Sequence, residues 1–140
     1  MPHQADDISI GEHLYTSVNR RLVMAPHLNA AGRLFGGMVM AWIDESAALY
    51  AMDRVGTQHL VTKKISEAIF NEPAYPGDVL EILCRIKAIG RTSLTQECLV
   101  MTRPLSSDDP RRLIVRCDVV FVALDRNGRP KPHCLPPRSE

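Results

Sequence analysis

At 140 residues and 15.6 kDa the chain has the length of one ordinary domain, long enough to bury a core without disulfide or metal staples. Hydrophobic residues make up 45% and charged residues 24%, a globular composition, and no apolar run reaches the length of a bilayer span. Seventeen Lys and Arg against sixteen Asp and Glu leave a formal charge of +1, so no global field draws the chain to nucleic acid or to an anionic membrane. Neither is expected as a partner. The first residues, Met1-Pro2-His3-Gln4-Ala5-Asp6-Asp7, are acidic and lack the basic and apolar stretches of a secretory signal, which predicts a cytoplasmic protein. Cys84, Cys98, Cys117 and Cys134 form no C-x-x-C pair, and the first three occupy apolar positions, as core thiols do.

In chain order, Ser17 to Ala25 reads as a first, weaker strand. A long helix is expected from about Phe35 to Arg54, with Gly36-Gly37 at its start and no internal proline. Met38 to Ile43 and Ala47 to Met52 are apolar on nearly every face, which predicts a helix surrounded by protein. Leu60 to Phe70 is a second strand, ended by turn signals at Pro73, Pro76 and Gly77. Across Val79–Ile89 the apolar Leu80, Ile82, Cys84, Ile86 and Ala88 alternate with Glu81, Arg85 and Lys87, a half-buried pattern of period two. Thr92–Thr102 follows the Gly90 turn, Ser106 to Pro110 is a hairpin loop, and Arg111-Arg112 after it read as solvated loop. Leu113–Leu124 is the last strand, and an irregular tail runs from about residue 126. The expected class is α+β: one domain over residues 1–140, with an antiparallel sheet of about five strands wrapped around one central helix.

On a helical wheel of ~100° per residue, Gly37, Ala41, Asp44, Ala48 and Ala51 share one stripe. Every member is small except Asp44, its one ionisable group. An unpaired buried carboxylate costs several kcal/mol, so Asp44 is either paired structurally or functional. The free N–H groups at the helix start, at Gly36 and Gly37, suit a carbonyl oxygen that gains charge during a reaction. Asp44 stands ~10 Å along the axis from Gly37, too far to serve the same reacting carbon with certainty from one chain.

The run His27-x-Asn29-x-x-Gly32-x-x-Phe35-Gly36-Gly37 followed by Asp44 resembles the acyl-CoA hydrolase branch of the hotdog-fold thioesterases, the YciA type. The likeness continues through Val61-Thr62, Phe70, Pro73, Gly77-Asp78, Gly90-Arg91-Thr92-Ser93, Phe121-Val122-Ala123 and Asp125-x-Asn127-Gly128-Arg129, so it spans roughly residues 20–130. It implies a sheet around one helix, homodimers that assemble into trimers of dimers, and hydrolysis of acyl-CoA to free acid and CoA. No metal or cofactor is implied; CoA enters as part of substrate and product. Matched position by position, Asn29 and Asp44 are the implied catalytic pair, contributed across the dimer interface, with Gly36 and Gly37 polarising the thioester carbonyl. His27, Phe35, Gly90, Arg91, Thr92, Ser93 and Arg129 are the implied CoA and acyl contacts. For His27 a loop-structuring role is the stronger expectation, and Arg126, Arg129 and Lys131 also read as a solvated tail.

One departure stands out. Many members carry an Asp-Lys pair in the strand after the helix, where this chain has Ser66-Glu67 preceded by Lys63-Lys64. Chain-length preference is therefore not carried over. Two other functions compete: a hydroxyacyl-thioester dehydratase using His27 and Glu45, and a non-catalytic acyl-CoA binding module in which Asp44 is structural. Glu45 lies ~100° off the Gly37–Asp44 stripe, which favours the hydrolase.

Overall fold

The structure, a computed structural model, describes residues 7–136 and the backbone of 138 and 139. Residues 1–6, on which the reading of the N-terminus rests, lie outside the described residues. The elements are β1 (Asp7–Ile10), β2 (His13–Leu22), a 3-10 turn (Ala25–His27), α1 (Gly36–Val55), β3 (Leu60–Phe70), β4 (Val79–Ile89), β5 (Ser93–Thr102), β6 (Leu113–Ala123) and β7 (Arg138–Ser139). All strand pairs are antiparallel, in the order β1-β2-β4-β5-β6-β3, and β7 adds to β4. Among the described residues no helix is long and apolar enough to cross a membrane.

Two strands exceed the expected five. β1 is only four residues long and half polar, too short to announce itself by alternation, and β7 has two residues. The first long strand also begins and ends earlier than the expected Ser17–Ala25. Pro26 sets the 3-10 turn there, so Val23 leaves the ladder and donates to Asp78 O at 2.9 Å.

The helix forms where expected. Its Met, Ala and Leu residues favour helix and no proline interrupts it before Gly56, whose φ of 78° closes the last turn through a 2.8 Å bond to Met52 O. One side packs on the sheet through Val39, Trp42, Ile43, Ala47, Tyr50 and Ala51. Facing them are Leu80, Ile82 and Cys84 of β4, Leu94, Cys98 and Val100 of β5, and Val115 to Phe121 of β6. Gln96 Nε2 donates to Ala47 O at 2.8 Å, pinning sheet to helix in the buried layer. Cys84, Cys98 and Cys117 lie side by side across three strands, with 3.6 Å between the first two sulfurs. Burial pushes the Cys117 thiol up to about 12, so it packs as a small hydrophobe.

The helix is not surrounded, contrary to the expectation from its all-round apolarity. Gly37, Ala41, Glu45 and Leu49 are exposed, while Asp44 and Ala48 are half-buried. The sheet covers only the helix side that meets it, and the other side of α1 stays bare.

A second correction concerns the outer face of the sheet. Glu81 and Arg85, expected in solvent, are 0% and 7% exposed, and Glu97 is 1% exposed. Tyr15, Leu83, Leu99 and Met101 form a small apolar cluster there, with Ile8, Ile10 and Leu113 packed on it. Glu97 accepts from the Tyr15 hydroxyl, from Arg85 Nε at 2.8 Å and from Arg116 Nε at 2.7 Å. Glu81 accepts from Ser17 at 2.6 Å and pairs with Arg111, Arg103 and Arg20 at 2.7, 3.3 and 3.4 Å. Arg112 pairs with Asp78 at 2.9 Å, so the Arg111-Arg112 segment is anchored rather than solvated. The alternation signalled water, but the partners that bury these charges come from strands far away in sequence.

Burial raises the Glu97 carboxyl, yet its Tyr15, Arg85 and Arg116 partners outweigh that and hold it at about 2. Burial and then the Glu97 contact push Tyr15 up to about 12. A carboxyl depressed in the fold contributes stability that is present above its unfolded value and drains as pH falls toward 2. Glu97→Gln leaves the two arginines without their acid, and the expected loss is about 3 kcal/mol at neutral pH. Denaturant melts of both proteins from pH 7 to pH 2.5 check this, and the gap between them should narrow with acid.

Candidate active site

The loop before α1 is organised by Asn29. Its side-chain carbonyl accepts from the amides of Ala31 and Arg33 at 2.9 and 3.2 Å, while its main-chain N–H donates to Arg33 O at 2.8 Å. Such an Asx turn spends the oxygen on the loop and leaves the side-chain NH2 as the donor for a ligand. Phe35 caps the helix with its carbonyl, which accepts from Met38 and Val39 at 3.0 and 3.2 Å. The amides of Gly36 and Gly37 thus stand at the open, electropositive end of the helix. The Phe35 ring lies over Gly37 so closely that a Cβ there would come within 2.5 Å of it.

A cavity of about 350 Å³ opens at this end, lined by Asn29, Gly36, Val39, Phe70, Ala74 and Ile114 among others. One chain therefore brings Asn29, Gly36 and an apolar pocket together. Asp44 is not among its lining residues. It sits two turns further along, half-buried, and Asp44 Oδ1 accepts from the Thr62 hydroxyl at 2.7 Å. Thr62 belongs to β3 and was given no role from sequence; nothing in its spacing to Asp44 signals a contact that depends on the β3–helix packing.

His27 serves the loop. Its Nδ1 accepts from Met24 N at 3.1 Å, and its ring packs edge-on against Trp42 with 5.0 Å between centroids. Glu45 points elsewhere, paired with Arg21 at 2.8 Å. The His27–Glu45 pair that a dehydratase would need is therefore occupied on both sides by structural contacts. Phe35 is 53% exposed and does not line the cavity.

The Gly90–Ser93 turn lies at the far end of the molecule from Asn29. Ser93 pairs with Val122, which pairs with Val61, so the turn ends in the sheet row next to Thr62. Two strand spacings put it ~10 Å from β3. Arg91 is exposed, and Gly90 N donates to Ser93 O at 2.9 Å. Arg126, Arg129 and Lys131 are exposed on the neighbouring hairpin, where Asp125 accepts from the amides of Asn127 and Arg129 at 2.8 and 3.0 Å.

The bare side of α1 carries Leu49, 47% exposed, and the edge strand β3 exposes Phe70 to 54% beside the helix start, with Val61 and Ile69 exposed on its other face. An apolar patch beside an open sheet edge is surface of the kind that subunits cover. At the middle of that edge Glu67 takes a φ of 53°, inside the ladder irregularity between Ser66 and Ile69.

The thioesterase superfamily pattern matches residues 31–106, from the loop through β5. An uncharacterized acyl-CoA thioester hydrolase of Zymomonas mobilis is 33% identical over 122 residues, covering 86% of this chain and 78% of its own. The chain belongs to the acyl-CoA hydrolase family of thioesterases. Its fold is the hotdog fold. The crystal structure of a hexameric thioesterase from Yersinia pestis superposes with a TM-score of 0.80 at 27% identity, over 91% of this chain and 100% of that one. The acyl-CoA hydrolase of Staphylococcus aureus in complex with butyryl-CoA, CoA and CoA disulfide is 30% identical with a TM-score of 0.76, over 82% of this chain and 68% of that one.

The Asx turn gives a direct test of the loop. Asn29→Ala should speed hydrogen exchange at the Ala31 and Arg33 amides, at a cost of about 1 kcal/mol in loop stability. Asn29→Asp keeps the acceptor oxygen and should retain their protection. Amide exchange by NMR distinguishes the two.

Proposed function

We propose that the protein is an acyl-CoA thioesterase whose reaction centre is completed by a second copy of the chain. The observation that carries this is the separation on α1: carbonyl-binding amides and Asn29 at its start, Asp44 two turns on, and a bare stripe of small residues between them. A two-fold axis passing near Ala41 would set the start of one helix against Asp44 of the other. Gly37 and Ala41 let the helices approach, and the exposed Leu49 of α1 and Phe70 at the helix start would be covered in the same step. The hexameric relative from Yersinia pestis supports a dimer that assembles further into a trimer of dimers.

In the reaction, the amides of Gly36 and Gly37 bind the thioester oxygen as it becomes negative. The Asn29 side-chain NH2 orients the carbonyl or the attacking water. Asp44, held by Thr62, either takes a proton from water or attacks the carbonyl itself. Cleavage of the C–S bond releases CoA as its thiol, and water supplies the oxygen of the carboxylic acid. Only the thioester, water and the chain's own residues enter this scheme, with no metal or cofactor. Arg91, with Arg129 nearby, meets the CoA phosphates, and the ~10 Å from β3 suits a ligand whose phosphates lie well away from its thioester. The bound CoA species of the Staphylococcus aureus relative support this ligand class.

CoA release from acyl-CoAs between acetyl and palmitoyl tests the activity. Asp44→Asn and Asn29→Ala should each lose at least about 100-fold in kcat with folding and assembly intact. Co-refolding the two variants then tests the shared site. If the pair spans two chains, half the dimers carry one intact site, and activity returns to ~25% of wild type. If both residues act within one chain, the mixture stays as inactive as its components.

A further inference from the structure

The segment after β6 reads as an irregular tail, yet it binds the Gly90–Ser93 turn at two main-chain carbonyls, and the end of β6 binds a third. His133 N donates to Arg91 O at 3.2 Å. The His133 ring reaches Ser93 O through Nε2 at 2.9 Å. Ala123 N, at the end of β6, donates to Thr92 O at 2.9 Å. A hairpin of this length needs only its own bond from Gly90 N to Ser93 O. Here each carbonyl from Arg91 to Ser93 has a partner from outside the turn.

The ring's protonation state follows from its neighbours. Leu135 N donates to His133 Nδ1 at 3.2 Å, so Nδ1 is the acceptor and the proton sits on Nε2. The neutral imidazole thus donates to Ser93 O and accepts from the tail at once. The same segment carries Lys131, whose amide donates to Ala123 O at 2.8 Å, and Arg129, whose amide is held by Asp125. Arg91 and these two cations stand on main chain tied into one unit.

We infer that His133 is a positioning residue for CoA: it clamps the turn that carries Arg91, so the main chain bearing the guanidinium is already ordered when the phosphates arrive. This rests on the reading above that Arg91 meets those phosphates. The clamp acts on ligand binding and not on the bond that breaks. Losing it restores motion to a rotamer-rich side chain and its turn, which predicts a rise in KM of about fivefold.

Steady-state kinetics on two substrates provide the test: butyryl-CoA, and the butyryl thioester of N-acetylcysteamine, which keeps the reacting bond but lacks the phosphates. His133→Ala should raise KM for butyryl-CoA about fivefold with kcat within twofold of wild type, and leave kcat/KM for the short thioester unchanged. His133→Gln offers an amide N–H toward Ser93 O and should return KM to near the wild-type value. Thermal melts verify that each variant is folded. An unchanged KM in His133→Ala overturns the inference, as does an equal loss on both thioesters, which marks a general structural role. Arg91→Ala separates this failure from failure of the underlying reading. A CoA-specific rise in KM there, without one in His133→Ala, sinks only the clamp. No CoA-specific effect in either variant sinks the assignment of the phosphates to this turn.

Discussion

A twenty-residue helix laid on a seven-stranded sheet hides only the side that meets the strands, and everything else in this protein is arranged around that shortfall. The sheet side of α1 is filled by Trp42, Ile43, Ala47 and Tyr50, while the opposite side carries Gly37, Ala41, Asp44 and Ala48. Large apolar residues there would bury themselves non-specifically. Small ones leave a shallow track that favours a second helix at close range, because backbone and methyl groups then make the contact. The same track puts a carboxylate where water is scarce once it is covered, which is the condition under which an acid or nucleophile becomes effective.

The opposite face of the sheet is closed by different means. There the sheet has no helix over it, and β1 with the Glu81 and Glu97 networks takes that place. Each acid is almost fully buried and each is surrounded by arginines drawn from other strands and from the β5–β6 loop. Ion pairs of this kind add little net stability over an apolar core, but breaking one strands a buried charge. They therefore act as registration pegs: β2, β4, β5 and β6 fit together only when the partners coincide. With that face locked, the edge strand β3 stands beside the bare side of the helix, while β1 forms the other edge of the sheet.

Much of this was legible in the residues. The period-two runs gave β4 without error and β6 to within one residue, because their apolar positions all face one helix. The run of apolar residues between Gly36 and Gly56 gave the helix for a similar reason. Its bare side escaped notice because small residues score as apolar whether they face a core or a partner. The outer face was misread for the converse reason: Glu81 and Arg85 look solvated until Arg111, Ser17 and Glu97 arrive from distant strands. At the candidate site, the loop and helix start were visible as a motif. The Thr62 contact to Asp44 was not, since it joins a helix to a strand by packing alone.

Charge shows the same difference between local and global order. A formal charge of +1 says nothing about where the cations stand. Glu81 and Glu97 together engage Arg20, Arg85, Arg103, Arg111 and Arg116, so five of the arginines are committed to the outer face. Arg91, Arg126, Arg129 and Lys131 remain exposed at one end of the sheet, and the acid closest to them in sequence, Asp125, is turned onto its own hairpin amides. The outer face takes up more arginine than acid, so the cationic end is a local cluster that acids elsewhere in a nearly neutral chain offset. On the proposed reading, a phosphate-bearing ligand would be drawn to that end by proximity to a few guanidinium and ammonium groups, over distances of about one Debye length, and not by the charge of the whole molecule.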